Sequence, residues 1–187
     1  PVHISGRGSN IRKIVMLAKK KNVEIIEDAA EALGSKNKNK FLGSFGVCGC
    51  FSLAPNKIIT TGQGGLVVTN NKAMYEKIKQ LKDQGRAKSK DTKNIYSLRG
   101  YNFKFTDLQA SLGLSQLKEF HKRSAKLKKI YKNYINLINK NDKLKLIGFN
   151  TKIGELPLWI DLYCSKADKL LKYLKKKGVS CRYFWTP

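Results

Sequence analysis

The sequence predicts an α/β protein with a mostly parallel sheet, followed by part of a smaller α+β domain. Two observations lead to this prediction. One amphipathic helical segment separates two β-type segments within the first 28 residues, which is the spacing of a βαβ unit. After residue 142, three short β-type segments accompany one further amphipathic helix. We place the boundary at residue 120, so residues 1–120 form part of a large domain and residues 121–187 part of a small one.

The first βαβ unit ends at a carboxylate. Pro1–Gly6 has the character of a strand end entering a loop, and Asn10 can cap a helix over Ile11–Lys21. Val23–Glu27 predicts the next strand, and Asp28 follows at its carboxyl end, where parallel sheets bind ligands. By itself, an Asp in this place is more often a helix cap or a turn residue than part of a site.

A single lysine stands between two apolar β-type segments. Val47–Leu53 predicts a strand, Lys57 follows a turn, and Gly62–Gly65 contains three glycines. Leu66–Thr69 is short and rich in β-branched residues, so it predicts another strand. Glycines here permit a positive φ or the close approach of a bound group. A lysine held in a partly dry loop suits bond formation with a carbonyl carbon, although an exposed loop lysine is the commoner case.

The next segment predicts a helix and a loop. Asn70 or Asn71 can cap a helix that continues to about Asp83, and Gly85 ends it. Arg86–Tyr96 is charged and poor in apolar residues, which is typical of a mobile surface loop.

The remaining elements begin with a long helix, Thr106 to about Lys140, whose length suggests a kinked helix that bridges two domains. Strands are then predicted at Lys143–Ile147, Leu156–Tyr163 and Val179–Phe184, with a helix over Lys166–Lys177 between the last two. The chain starts at Pro1 rather than Met, and the last strand is barely complete. We therefore expect a fragment.

The composition is strongly basic, with 38 Lys and Arg against 13 Asp and Glu and a net charge of +25. Such a balance suggests nucleic acid or an anionic surface as a partner. Only six of the 38 cations are Arg, however, whereas specific phosphate and base recognition favours Arg. The lysines are spread along helices, so we expect attraction to an anionic small substrate and no specific nucleic-acid binding.

The four cysteines have no metal-binding spacing. Cys48 and Cys50 form a C-x-C pair, and only two histidines exist to complete a metal site. We expect no metal, and we expect reduced, buried cysteines in a cytoplasmic protein. No apolar run approaches the length of a membrane span, so no membrane partner is expected.

Three segments in order resemble one known family, the DegT/DnrJ/StrS-type aminotransferases. They are EDAAEALGS (Glu27–Ser35), GCFSLAPNKIITTGQGG (Gly49–Gly65) and GYNFKFTDLQASLGLSQL (Gly100–Leu117). The resemblance covers almost the whole chain. It implies the aspartate aminotransferase fold (fold type I) and the cofactor pyridoxal 5′-phosphate. It also implies that family members are longer and that the part preceding Pro1 includes a loop for the cofactor phosphate and an aromatic residue that stacks on the pyridine ring.

The resemblance also implies the roles of five residues. Lys57 matches the lysine that binds the cofactor covalently and transfers protons, and Asp28 matches the carboxylate that pairs with the pyridine nitrogen. Ser52 matches a hydroxyl that donates to the cofactor phosphate. Asn102 matches a side chain that reaches the phosphate across a dimer interface, which implies a homodimer with shared active sites. Glu31 lies where the family places a group near the phenolic oxygen of the cofactor.

Two positions depart from the family pattern. Many members have Gln where this chain has Glu31, and a carboxylate would be repelled by the phenolic oxygen unless one of them carried a proton. We interpret Glu31 as the mark of a subgroup. Lys104 stands where many members have Arg, which keeps the positive charge but loses the two-pronged guanidinium.

The resulting hypothesis is an aminotransferase that moves an amino group, from glutamate, to a keto sugar of a nucleotide diphosphate. The run GQGG, with LKDQGR and GYNFKFTDLQA, is most similar to perosamine-synthase-type members, which act in polysaccharide and lipopolysaccharide biosynthesis. A second hypothesis within the family is the pyridoxal-phosphate-dependent sugar dehydratase, in which histidine replaces the lysine; Lys57 argues against it. A basic nucleic-acid-binding module and a catalytically inactive fragment are the third and fourth hypotheses.

Overall fold

The structure is a computed structural model that describes residues 1–87, 95–138 and 143–184. Its five α-helices are α1 (Ile11–Lys21), α2 (Lys72–Leu81), α3 (Asp107–Lys118), α4 (Phe120–Ile138) and α5 (Ala167–Lys176). The strands are β1 (Ile26–Asp28), β2 (Lys36–Asn37), β3 (Lys40–Phe41), β4 (Cys48–Ser52), β5 (Gly65–Val68), β6 (Leu144–Leu146) and β7 (Leu162–Cys164). Two short 3₁₀ turns lie at Ile4–Gly6 and Thr151–Ile153.

Among the described residues, β1, β4 and β5 form a three-stranded sheet in the order β1-β4-β5. β1 pairs with β4 in parallel, while β5 pairs with β4 in antiparallel orientation. Val2 forms a further parallel bridge to Asp28, so α1 connects two parallel neighbours as a βαβ unit does. The α/β fold is therefore confirmed, and the sheet is mixed. β1 starts three residues later than predicted and includes Asp28 itself.

The first helix has the predicted bounds but not the predicted cap. Asn10 has a φ of −70° and a ψ of 57°, and its side chain accepts no capping hydrogen bond, so this prediction was wrong. The helix ends at Asn22, whose left-handed backbone (φ 51°) lets its N–H donate to the carbonyls of Ala18 and Lys19. Burial of Ile11 holds the start of the helix in place of a side-chain cap.

The second helix is capped as predicted, by Asn71, whose side chain accepts from the Met74 N–H at 3.0 Å. It ends at Leu81, two residues before the predicted end. The chain then turns at Gly85, where φ is +81° and a Cβ would lie 1.7 Å from the carbonyl oxygen of Leu98. The predicted Arg86–Tyr96 loop lies partly outside the described residues; its two ends form an isolated bridge with each other.

The long predicted helix consists of two helices. A capping box starts α3: Thr106 accepts from the Gln109 N–H, and the Gln109 side chain accepts from the Thr106 N–H. Glu119 has a φ of −90° and a ψ of 0°, so it separates α3 from α4. The predicted end of the long helix at Lys140 lies outside the described residues.

The last third of the chain contains fewer strand residues than predicted. β6 and β7 pair in antiparallel orientation, and α5 packs on β7. Most of Leu156–Tyr163 is not a strand, because Leu156 N–H donates to the Ser35 hydroxyl and Leu158 N–H donates to the Ser5 carbonyl, across the molecule. Val179–Phe184 contains no strand residue among the described positions, so that prediction was wrong.

Two apolar clusters form the core. The first joins α1 to the segment after β1, and the second joins the turn after β4 to Leu156; their buried members are Ile11, Ala29, Ala32 and Leu42, and Leu53, Ile58, Ile59 and Leu156. The second cluster thus connects residues on both sides of the predicted boundary. The domain boundary at residue 120 stays a prediction.

Arg7 joins the first segment of the chain to the last third. Its guanidinium contacts the Asp161 carboxylate at 2.5 Å and donates to the carbonyls of Gly148 and Ile147 at 3.0 and 2.9 Å. It also lies 3.9 Å from the ring centroid of Phe149. Because the contacts with Asp161 and both carbonyls use separate N–H groups, this one side chain fixes the loop before α1 against residues 147–161.

Candidate active site

Lys57 and Glu31 meet in a largely buried position just beyond the end of β4. Lys57 Nζ lies 3.4 Å from Glu31 Oε1, and the two side chains are 11% and 12% exposed. The other carboxylate oxygen, Oε2, accepts the N–H of Ser5 at 2.9 Å. Glu31 therefore connects the lysine to the first loop of the chain.

The backbone of Leu53 positions the lysine and the glycine-rich loop together. Leu53 N–H donates to the Gly64 carbonyl at 2.9 Å, and the Leu53 carbonyl accepts from Thr61 N–H at 3.1 Å. Lys57 N–H donates to Ala54 O at 3.1 Å and closes the turn between them. Gly64 has a φ of +140°, and a Cβ there would lie 2.2 Å from the Phe105 ring, so only glycine fits.

Asp28 and Ser52 lie on the same face of the sheet. Asp28 pairs with Cys50 in the parallel register, and Cys50 and Ser52 are alternate residues of β4. The Asp28 carboxylate is exposed and accepts a hydrogen bond from Ala30 N–H at 3.0 Å. Ser52 Oγ accepts Ala54 N–H at 3.3 Å, which leaves its own proton available for donation.

Glu27, the neighbour of Asp28, points to the opposite side and is fully buried. Its carboxylate contacts His3 Nε2 at 3.0 Å. It also accepts three backbone N–H groups, from Gly43, Phe45 and Gly46, at 2.9, 2.5 and 2.7 Å. Four donors thus surround one carboxylate, and three of them belong to the loop that leads into β4.

The contacts of His3 define its tautomer. Ser9 N–H donates to His3 Nδ1 at 3.1 Å, so Nδ1 is an acceptor and Nε2 carries the proton that Glu27 accepts. Burial raises the pKa of Glu27, but the hydrogen bonds from His3 and from the amides of Gly46, Gly43 and Phe45 outweigh it and hold the pKa below its ordinary value.

Asn102 lies in the segment between α2 and α3. It is exposed and forms an isolated antiparallel bridge with Asp83. Lys104, two residues on, contacts Asp83 at 2.7 Å, and this hydrogen bond holds the pKa of Asp83 below its ordinary value. Within the part of the chain that the structure describes, Asn102 makes no hydrogen bond to Asp28, Glu31 or Ser52.

Three residues of this arrangement were not predicted as site residues: His3, Ser5 and Glu27. Ser5 is buried and has a left-handed backbone (φ 57°), which no sequence pattern revealed. Glu27 does have a signal: it alternates with Ile25 and Ala29, both of which are inward-facing apolar positions. A charged residue in that series requires a buried partner.

Solved structures with this fold include aminotransferases. The chain superposes on Helicobacter pylori PseC, an aminotransferase involved in the biosynthesis of pseudoaminic acid, with a TM-score of 0.88 and 28% identity over 95% of this chain and 49% of that one. It also superposes on the Escherichia coli GDP-4-keto-6-deoxy-D-mannose-3-dehydratase with bound hydrated PLP, with a TM-score of 0.86 over 97% of this chain and 51% of that one. The second likeness, at 22% identity, shows the fold alone.

The chain belongs to the DegT/DnrJ/EryC1/StrS aminotransferase family, which it matches over residues 1–187. It is 43% identical to the GDP-perosamine synthase of Escherichia coli O157:H7 over 138 residues, covering 72% of this chain and 37% of that protein. It is 32% identical to the UDP-4-amino-4,6-dideoxy-N-acetyl-beta-L-altrosamine transaminase of Campylobacter jejuni, covering 100% of this chain and 51% of that protein. The chain thus spans about half or less of the length of these relatives.

Within residues 1–87, 95–138 and 143–184, no helix is both long enough and apolar enough to cross a membrane. The four cysteines are free thiols, as predicted, but only Cys48 is buried. Cys50 and Cys164 are partly exposed and Cys181 is exposed, so the prediction of buried cysteines was wrong for these three. Burial is the main cause that raises the pKa of Cys48.

Proposed function

We propose that the protein is a pyridoxal-phosphate-dependent aminotransferase that acts on a keto sugar of a nucleotide diphosphate. One observation supports this most directly. The largely buried amine of Lys57 follows β4, which carries Ser52, and Asp28 lies on the same face of the neighbouring strand. These three groups, an amine, a hydroxyl and a carboxylate, lie at or just beyond the carboxyl ends of two neighbouring strands. They are the groups that a phosphorylated pyridine aldehyde requires.

The side chains fit this cofactor. Lys57 offers an amine for the aldehyde carbon, and Asp28 has an exposed carboxylate that can hold a proton on the pyridine nitrogen. Ser52 has a hydroxyl proton available for the phosphate. When bound, pyridoxal phosphate supplies an electron sink for the carbon that loses its proton. The amine of Lys57 is then the group of this chain that can move that proton.

The substrate class is proposed from the relatives. Both quoted relatives are named for the products of amino transfer to nucleotide-linked sugars. We propose a nucleotide-linked keto sugar as acceptor and glutamate as amino donor, in the biosynthesis of a surface polysaccharide such as lipopolysaccharide. The free thiols support the proposed cytoplasmic location.

The activity is tested with the full-length protein, pyridoxal phosphate, glutamate and GDP- or UDP-4-keto-6-deoxy sugars. We expect an amino sugar nucleotide, detected by mass spectrometry, and its loss in Lys57→Ala. A keto sugar product that has a C–H bond in place of one C–OH bond, and so has lost one oxygen atom and gained no nitrogen, would show a dehydratase instead, with glutamate as the source of the two electrons. Lys57 favours the aminotransferase, because the dehydratases have histidine at this position.

A homodimer with shared active sites completes the proposal. Tyr101 and Phe103 stack on each other beside Asn102, and Phe103 remains 70% exposed. The adjoining α3 exposes Leu108 to 82% and Leu114 to 63%. Such an apolar surface supports an interface between two copies, and Asn102 would then reach the partner's cofactor phosphate.

Mixing two inactive variants tests the shared site. In a mixed dimer of Lys57→Ala and Asn102→Ala chains, one site receives both defects and the other receives neither if Asn102 acts across the interface. We expect partial recovery of activity. If Asn102 acts within its own chain, each site keeps one defect and no activity returns.

A further inference from the structure

Asp83 and Asn102 face each other across a short antiparallel bridge. Two backbone hydrogen bonds of 2.9 Å flank the pair, from Phe103 N–H to the Lys82 carbonyl and from Gln84 N–H to the Tyr101 carbonyl. Because the pair lies between these two hydrogen bonds, its side chains are on the same face of the bridge, with Cβ atoms about 4.5–5.5 Å apart. The Asp83 carboxylate is therefore a close neighbour of the Asn102 amide.

Lys104 binds this carboxylate. Its Nζ lies 2.7 Å from Asp83 Oδ1, and the two side chains are 50% and 26% exposed. The hydrogen bond from Lys104 is the main cause that holds the pKa of Asp83 below its ordinary value, so Asp83 is an anion at neutral pH. No side-chain hydrogen bond holds Asn102 within residues 1–87, 95–138 and 143–184, so its NH₂ group remains available as a donor.

We propose that Lys104 is a positioning residue that acts through Asp83 and keeps the Asn102 amide available for a phosphate. The phosphate is that of the cofactor in the second copy of the chain, so this inference rests on the proposed function and on the proposed homodimer. Lys104 itself contacts neither cofactor nor substrate.

An unpaired Asp83 would oppose phosphate binding by Asn102 in two ways. A phosphate held by Asn102 would lie close to the Asp83 carboxylate, and two anions at short distance repel each other. The carboxylate could also accept a hydrogen bond from the Asn102 NH₂ group, which would occupy the donor that the phosphate needs. Lys104 prevents both effects, because it neutralises the carboxylate and occupies one of its oxygens.

This role explains why a lysine suffices where many family members have arginine. A side chain that gripped a phosphate by two parallel hydrogen bonds would require the guanidinium group. A counterion for one carboxylate oxygen requires one positive charge and one donor, which the Lys104 ammonium supplies.

Binding of pyridoxamine 5′-phosphate to the full-length protein tests the inference without measuring catalysis. This compound has an amine in place of the aldehyde, so it forms no covalent bond with Lys57, and pyridoxamine is the same molecule without the phosphate. Titration calorimetry measures the dissociation constants of both. We expect Lys104→Ala to weaken binding of pyridoxamine 5′-phosphate by about 3- to 10-fold and to leave binding of pyridoxamine unchanged.

The double variant Asp83→Asn/Lys104→Ala identifies the route of the effect. Without the carboxylate no counterion is needed, so the affinity for pyridoxamine 5′-phosphate should return to within about 2-fold of that of wild type. Lys104→Arg keeps the charge and should also bind like wild type. Lys20→Ala is the matched control, because Lys20 is exposed on α1 and its change removes the same charge elsewhere; it should have no effect.

Two results would overturn the inference. One is an unchanged affinity in Lys104→Ala. The other is a loss that persists in the double variant while thermal unfolding stays like that of wild type, because Lys104 would then contact the ligand directly. Failure of the wild-type protein to bind pyridoxamine 5′-phosphate is a different result: it would contradict the proposed function, and this inference would fall with it.

Discussion

Glu27 and Asp28 are neighbours in one strand, yet their carboxylates lie in opposite environments. Glu27 is fully buried and contacts four donors, all of them from this chain. Asp28 is exposed, and Ala30 N–H contacts its carboxylate. Strand alternation alone produces this difference, because successive side chains project to opposite faces of a sheet.

The two carboxylates have different roles in the sheet. Glu27 makes contacts that hold the strands together, whereas Asp28 is exposed on the opposite face. The Glu27 side joins the first loop to the turn before β4, through His3 and the amides of Gly43, Phe45 and Gly46. That network fixes β4 against β1. As a result, Asp28 and Ser52 are held on one face by contacts made on the other. Changes on the two sides should therefore affect different measurements.

The largest expected effect is a loss of turnover when Asp28 is replaced. Asp28→Asn removes the charge proposed to hold a proton on the cofactor nitrogen, so turnover of the full-length protein should fall by on the order of 10²–10³-fold or more. Because Asp28 is exposed, its free energy of unfolding should change by less than about 0.5 kcal/mol. Steady-state kinetics and urea unfolding check the two parts. Ordinary turnover in Asp28→Asn would show that Asp28 is only a strand-end residue.

The second effect is on stability, from the Glu27 side. Glu27→Ala leaves the His3 N–H and three backbone amides, one buried and two partly buried, without an acceptor, so the free energy of unfolding should fall by about 3 kcal/mol. Urea unfolding followed by circular dichroism measures it. Glu24→Ala, at an exposed position just before β1, serves as the control. A loss below about 1 kcal/mol would mean that water replaces the network easily.

The third effect is the pH dependence of the same network. The folded protein holds the pKa of Glu27 below its ordinary value of 4.5, so the unfolded chain binds more protons in that range. The stabilisation is therefore complete above about pH 5 and is lost as pH falls through the lowered pKa. Urea midpoints should fall more steeply below that pH in wild type than in Glu27→Gln. Parallel curves for the two proteins would contradict this account.

The smallest expected effect is a loss of stability when the cap at the start of α3 is removed. Thr106 caps α3 together with Gln109, whose side-chain NH₂ donates to the Gln63 carbonyl in the glycine-rich loop at 3.1 Å. Thr106→Ala should lower the free energy of unfolding by about 1 kcal/mol. Thr106→Ser, which keeps the hydroxyl, should recover most of it. Equal losses in both variants would assign the effect to packing rather than to the cap.

Local sequence signals predicted the elements that local contacts determine. The bounds of α1 and the cap of α2 by Asn71 follow from apolar spacing and side-chain chemistry within one or two turns. Leu156–Tyr163 has strand-like composition, but its amides are taken by Ser35 and Ser5 from more than a hundred residues away. No pattern within a short window contains that information, which is why the whole segment was predicted as a strand although only its last two residues belong to β7.

Sequence motifs also predicted only part of the candidate site. Lys57 and Glu31 were named from motifs, and the structure brings them into contact. Their third partner, Ser5, takes part through its backbone N–H, which every residue except proline has. Side-chain motifs cannot reveal such a contact. The pairing of His3 with Glu27 was not predicted, because the two residues are 24 positions apart in the sequence. Each one alone, a histidine in a loop and a glutamate in a strand, is a common residue in its place.

The central claim is that Lys57 is the residue that binds pyridoxal phosphate. The most direct test is borohydride reduction of the full-length protein with pyridoxal phosphate, followed by peptide mapping. We expect one pyridoxyl group on Lys57, and no specific adduct in Lys57→Ala. An adduct on Lys36, Lys40 or another lysine, with Lys57 unmodified, would contradict the account.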